Sequence, residues 1–139
     1  MIKTIVFLLL ITPVNEVKAQ DSLYGRKIDS LWMGSWQRKQ LFRKKEHAGG
    51  WEYDYFFYKK DSVLRSMTEY NKKLKIYILY FYSNNQVVMV SPVGQQPYYI
   101  LNNRFVFSRH DSFTEADVDR LIIRANEGLR NAYKRIKKI

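Results

Sequence analysis

From Trp51 onward aromatic and apolar side chains recur at every second residue, a period that admits little other than an antiparallel sheet. Trp51, Tyr53, Tyr55 and Phe57 alternate with Glu52, Asp54, Phe56 and Tyr58, which sends one set to each face of a strand. Lys59 to Ser62 reads as a turn, Val63 to Tyr70 as a polar-rich returning strand, and Asn71-Lys72-Lys73 as the next turn. Leu74 to Tyr82 is apolar on both faces, the mark of a central strand. Asn84-Asn85 and Asn102-Asn103 each separate strand-forming segments, Gln86–Ser91 following the first and Tyr98–Leu101 and Arg104–Arg109 flanking the second. Asparagine tolerates positive φ, so both pairs read as tight hairpin turns. Pro92, Gly94 and Pro97 bracket a looser connection. The segment as a whole predicts an antiparallel meander of about six strands.

Helical periodicity flanks this meander. Tyr24, Ile28, Leu31 and Trp32 form a stripe within Asp21–Met33, with Asp21 or Ser22 placed to cap it. Gln37 to Glu46 is highly charged and fits either a continued helix or a first strand, and Gly49-Gly50 ends it. At the other end Thr114-Glu115-Ala116-Asp117 approximates a capping box, with Phe113 and Val118 spaced as a hydrophobic staple. Val118, Ile122, Ala125, Leu129, Ala132, Ile136 and Ile139 then recur at alternating spacings of four and three. This predicts an amphipathic helix of about 25 residues. Its small-residue seam fits packing on the sheet better than a coiled coil, whose heptads it sustains for only about three repeats. The fold class is α+β: an N-terminal helix, the meander, and a long C-terminal helix packed on the sheet.

Residues 1–19 carry the pattern of a secretory signal peptide. Met1-Ile2-Lys3 is a short positive segment, Ile5–Ile11 an unbroken apolar run, and Val17-Lys18-Ala19 a cleavage-like triplet. The apolar run is well short of the roughly 20 residues a membrane span needs. Residues 20–139 then form the single mature domain, a secreted or periplasmic protein with no membrane-spanning segment. Removing residues 1–19 lowers the net charge from +11 to +10 over 120 residues.

That charge sits in two blocks. Residues 36–45 hold Arg38, Lys39, Arg43, Lys44 and Lys45 with no acid, and residues 120–139 carry a net +6. Within the second block Arg124, Lys134, Arg135 and Lys138 are the candidate contacts, although cations at a helix C-terminus also suit the helix dipole. Basic blocks of this kind meet an acidic protein, an anionic polysaccharide or envelope phosphate. Basic strands rich in aromatic residues also outline single-strand nucleic-acid binding, but export argues against DNA as the partner.

Catalytic signatures are sparse. The chain has no cysteine and two histidines, which removes disulfides, thiolate chemistry and three-histidine metal sites. Neither a metal cofactor nor an organic one is indicated. Arg109-His110-Asp111 sets a carboxylate beside an imidazole, but neighbours on a strand point to opposite faces. Glu52 and Asp54 share a strand face, where Lys or Arg across the sheet are their ordinary partners. Fifteen aromatic residues between Trp51 and Phe107 demand that helices cover both sheet faces, that the sheet curls into a barrel, or that an aromatic face binds something. Gly34-Ser35-Trp36 followed by a meander and a final helix resembles the lipocalin-like carriers. That resemblance implies a pocket for a small apolar ligand lined by strand aromatics, and an eight-stranded barrel where about six strands are counted. The leading reading is a non-enzymatic, inhibitor-like or immunity-like binder of an anionic partner. The apolar carrier comes second, and a minor enzyme using His110 third.

Overall fold

The computed structural model describes residues 20–34, 38–109 and 115–137. Helix α1 spans residues 20–34, and a short 3-10 turn, Arg38–Gln40, leads into the sheet. Seven strands follow: β1 Leu41–Ala48, β2 Trp51–Tyr58, β3 Leu64–Asn71, β4 Ile76–Ser83, β5 Gln86–Pro92, β6 Tyr98–Leu101 and β7 Arg104–Ser108. Helix α2, Glu115–Lys137, closes the chain. The strands lie in sequence order, each antiparallel to the next, so the sheet is an open meander with β1 and β7 at its edges. It does not close into the barrel that the carrier resemblance implied.

The strand count is seven rather than about six because the ambiguous charged segment is strand β1. Arg43 pairs with Phe56, Lys44 with Tyr55, and Lys45 with Asp54 in continuous register along β2. Local chemistry sets the turns. Gly49 and Gly50 between β1 and β2, Asn84 and Asn85 between β4 and β5, and Asn102 and Asn103 between β6 and β7 all adopt positive φ. Two consecutive residues in that conformation give the hairpin turn whose twist matches the strands it joins. The capping box and staple proposed for α2 rest on Phe113 and Thr114, which lie outside the described residues.

Helices cover the sheet from both sides, as two separate clusters show. Tyr55, Phe57, Met67, Tyr80, Tyr82, Val90 and Ile100 pack beneath Val118, Ile122, Ala125 and Ala132 of α2. On the opposite face Phe81, Met89 and Tyr99 pack against Ile28, with Tyr24 and Trp32 beside them. Central strand β4 feeds both clusters, with Tyr80 and Tyr82 on one side and Phe81 on the other. Three bulges adjust the register. The one in β3 sets Phe56 opposite Ser66 and Phe57 opposite Leu64, which leaves Arg65 as the extra residue.

Close helix approach depends on the small seam of α2. A Cβ at Gly128 would stand 2.4 Å from Met67 Sδ and 3.4 Å from the Tyr82 hydroxyl. Overpacking a closed core costs about 1–3 kcal/mol, so Gly128→Val is expected to lower unfolding free energy by roughly that amount. Met67→Ala vacates the same space, so the double variant should lose less than the sum of the single losses in urea melts. Additive losses would show that the seam is not tight.

Candidate functional site

Strand alternation divides the first basic block between the two faces of β1. Phe42, Lys44 and Glu46 point to the α2 side, where Phe42 stacks on Phe57 at 5.1 Å and the Tyr55 hydroxyl donates to Glu46 Oε2 at 2.9 Å. Arg43 and Lys45 point the other way and are exposed, as is Lys39 in the preceding turn. Of Arg38 only the backbone is described.

The second block meets the first on the α2 side. Tyr133 packs edge-on against Phe57 at 6.1 Å, accepts a hydrogen bond from the Leu64 amide at 3.1 Å, and donates to Asn85 Oδ1. These contacts lay the last turns of α2 over the ends of β2–β4. From there Arg135 reaches Glu46 Oε1 on β1 at 3.0 Å. Backbone pairing of Lys59 N with Gln40 O at 2.8 Å adds the Lys59-Lys60 turn to the same end of the molecule. Lys44, Arg130, Lys134, Arg135 and Lys137 therefore share one region, with Lys59, Lys60 and Lys39 at its margin. Lys138 and His110, the latter offered as a catalytic residue, lie outside the described residues.

Arg124, a candidate contact, is engaged within the chain. Glu69 of β3 is buried, and Arg124 holds it through Nε at 3.1 Å and through a second bond from Nη2. The Tyr80 hydroxyl donates to the other carboxylate oxygen at 2.8 Å, and the Arg124 guanidinium lies 4.7 Å from the centre of the Trp51 ring. This arrangement satisfies a buried charge and pins α2 to the sheet. Arg124 and Arg135 are thus engaged within the chain, whereas Lys134 and Lys137 are exposed.

Arg65 was not singled out from sequence, yet among the described residues it is the largest fully buried side chain, with 1% exposure. The bulge turns it toward α1, where its guanidinium sits 4.1 Å from the Trp32 ring centre and Nη2 donates to the Trp32 carbonyl at 3.3 Å. A cation against the last carbonyls of a helix is well placed in the helix field. Burial nonetheless pushes its pKa below the ordinary arginine value, an effect that Tyr58 opposes.

Beyond the C-terminal end of α1 the same sheet face bears a groove of about 560 Å³, lined in part by Trp32, Arg43, Phe56, Thr68, Tyr77 and Leu79. Asp54 stands two residues from Phe56 on β2 and opposite Thr68; its Oδ1 is buried and has no hydrogen-bond partner among the described residues. Glu52, the other acid on that strand face, approaches His47 Nδ1 at 3.8 Å. Among the described residues no cluster of three or more His, Asp or Glu is arranged to hold a metal ion. No helix among them is long and apolar enough to cross a membrane.

The three layers and these sites define an open, helix-covered meander with a basic end and a groove. The chain matches no protein-family model, no curated protein and no solved structure.

Arg124→Ala leaves Glu69 buried without its cation. Such losses cost about 3–5 kcal/mol, measurable by chemical denaturation, whereas the paired Glu69→Gln/Arg124→Met change should cost less. A loss under about 1 kcal/mol for Arg124→Ala would place the pair among surface bridges. Alkali offers an independent check. Burial is the largest cause raising the pKa of Tyr55, Tyr80 and Tyr82, and burial with the Asp29 hydrogen bond pushes Tyr99 up to about 12. The unfolded chain releases these protons near pH 10, so stability must fall as pH rises above about 10. Tyrosinate absorbance from these four side chains should therefore appear together with unfolding; early, independent ionisation would contradict their burial.

Proposed function

We propose that this protein is a small exported, non-enzymatic binder of an anionic partner: an acidic protein, an anionic polysaccharide or envelope phosphate. An inhibitor-like or immunity-like role, in which a compact basic domain occludes an acidic partner, agrees with this reading. The observation that carries it is the Arg135–Glu46 bridge at 3.0 Å. It draws two basic blocks far apart in sequence into one surface, while Glu46 is the acid consumed in doing so. The cations of that surface without an ion pair among the described residues are Lys44 from β1 with Arg130, Lys134 and Lys137 from α2. Charge concentrated on one side both steers an anionic partner and holds it.

A heparin column separates a binding surface from mere net charge. Lys44→Ala/Lys134→Ala/Lys137→Ala removes three charges from the shared surface, and Lys72→Ala/Lys73→Ala/Lys75→Ala removes three from the exposed β3–β4 turn. The first triple variant should elute at clearly lower salt than the second. Equal shifts would mean that retention reports only overall charge.

A further inference from the structure

We propose that the groove beyond α1 holds a fatty acid, its acyl chain lying across the sheet and its carboxylate meeting Arg43 of β1. This surface is on the opposite side of the sheet from the shared basic end, and the inference does not depend on the anionic-partner reading.

Side-chain size makes the depression. Ser66 and Thr68 of β3 are small and buried, with Phe56 of β2 opposite Ser66 on one side and Leu79 of β4 opposite Thr68 on the other. Trp32 of α1, Leu41 of β1 and Tyr77 of β4 extend this lining. Leu41, Phe56 and Leu79 are only partly buried and Tyr77 is 41% exposed, so the groove leaves apolar surface to water. Its polar floor asks for little, since the Ser66 hydroxyl already accepts from Arg65 Nη1 at 3.4 Å. From Arg43 on β1 to Leu79 on β4 the groove crosses three inter-strand gaps, roughly 14 Å. Its volume of about 560 Å³ is that of a small-molecule site, and its length suits an extended chain.

Charge selects the head group. Arg43 lines the groove, is exposed and forms no ion pair among the described residues. Phe56 stands directly opposite it, so the cation adjoins the apolar lining. An uncharged apolar ligand would strip water from Arg43 and return nothing, whereas a carboxylate matches the guanidinium fork with two oxygens. Acids on the same face restrict the ligand to one charge. Asp54 faces Lys45 in the next row, and Glu52 faces His47 in the row beyond. A polyanion reaching past Arg43 meets both carboxylates, and a single head group meets neither. A phosphate head, with nearly two charges, suits this rim less well for the same reason. A second copy of a chain carrying +11 would set like charge against Arg43 and Lys45.

Calorimetric titration of the whole protein below micelle-forming concentrations tests this, with circular dichroism to confirm that the fold persists. Dodecanoate should bind with about one molecule per chain, at least as tightly as dodecyl phosphate and about tenfold more tightly than octanoate, dodecyl maltoside or dodecylammonium. Arg43→Glu, at an exposed position, should weaken dodecanoate binding about tenfold and turn the preference toward dodecylammonium. Leu79→Ser and the exposed Tyr77→Ser should each weaken it about fivefold, and Lys44→Ala/Lys134→Ala/Lys137→Ala should leave it within about twofold. Tighter binding of dodecyl phosphate, equal binding of dodecyl maltoside or dodecylammonium, or indifference to both Arg43→Glu and Tyr77→Ser overturns the proposal. So does a dimer in sedimentation that Leu79→Ser dissolves, because a second copy would then occupy the groove. If dodecanoate binding is lost only in the triple lysine variant, the inference fails and the basic-end reading survives. If heparin fails to separate the two lysine variants while dodecanoate behaves as expected, the basic-end reading falls and the groove assignment stands.

Discussion

Burial of the central strand on both faces is the constraint from which the rest of this architecture follows. With Tyr80 and Tyr82 directed to one side and Phe81 to the other, β4 cannot leave either face of the sheet in water. Each face therefore requires a helix, and the chain supplies two of unequal length. Six inter-strand gaps make the sheet roughly 29 Å wide, and a 23-residue helix is roughly 35 Å long. Helix α2 can thus run from the β6 end, where Val118 packs, to β1, where Arg135 finds Glu46. The helix over residues 20–34 is only about 22 Å long. Its start lies on β6 and β7, where Gly25 meets Tyr99 and Phe107. Its last turn reaches β4 and β3, where Trp32 meets Phe81 and Arg65. Helix length runs out before β2 and β1, and the groove begins where α1 stops.

Both helices are fixed by charge as well as by apolar contact, in different ways. On the α2 side the buried charge is a carboxylate in the sheet, neutralised by an arginine from the helix and a tyrosine hydroxyl from the neighbouring strand. Tyr82 adds a bond from its hydroxyl to the Ala125 carbonyl at 2.7 Å. On the α1 side the buried charge is an arginine in the sheet, set against the carbonyl end of the helix and an indole face. Beyond the midpoint of that helix Arg109 bonds the Tyr99 hydroxyl at 3.0 Å, and Tyr99 in turn donates to Asp29. Polar groups of this kind have few alternative arrangements in a low-dielectric interior, so they specify where each helix sits along the sheet.

The parts of this structure that were legible in the sequence are those decided by near neighbours. Paired asparagines impose positive φ on their own backbone, and alternation over Trp51–Tyr58 is a property of eight consecutive residues. Strand β1 was ambiguous for a physical reason. It is an edge strand whose faces are only partly covered, so no apolar alternation marks it and its charges fit a helix equally well. Arg65 and Glu69 were hidden for the opposite reason. A charged residue in a strand reads as solvent-facing unless its partners are known, and those partners lie 33 and 55 residues away. The groove is equally non-local, since it depends on how far α1 reaches across strands that come later in the chain. The ion pairs of the candidate contacts Arg124 and Arg135 were hidden in the same way, because only the tertiary fold brings Glu69 and Glu46 to them.

The cations of β1 have one task that needs no partner. An open strand edge invites pairing with another copy, and lysine and arginine along it repel that copy. The cations ending α2 likewise suit the helix dipole. Neither explanation reaches the side-chain geometry. Protecting an edge requires charge on the strand but is indifferent to the face, and stabilising a helix end requires nothing from β1. In this fold Lys44 is directed to the face where Lys134 and Lys137 end α2, while Arg43 and Lys45 are directed to the face where Phe56, Thr68 and Tyr77 line uncovered sheet. The same three-residue run thus contributes to two surfaces of different chemistry, one dominated by charge and the other combining charge with rings and hydroxyls. That division follows from a period of two acting on consecutive cations, and it is why replacing Lys44 and replacing Arg43 alters opposite faces of the sheet.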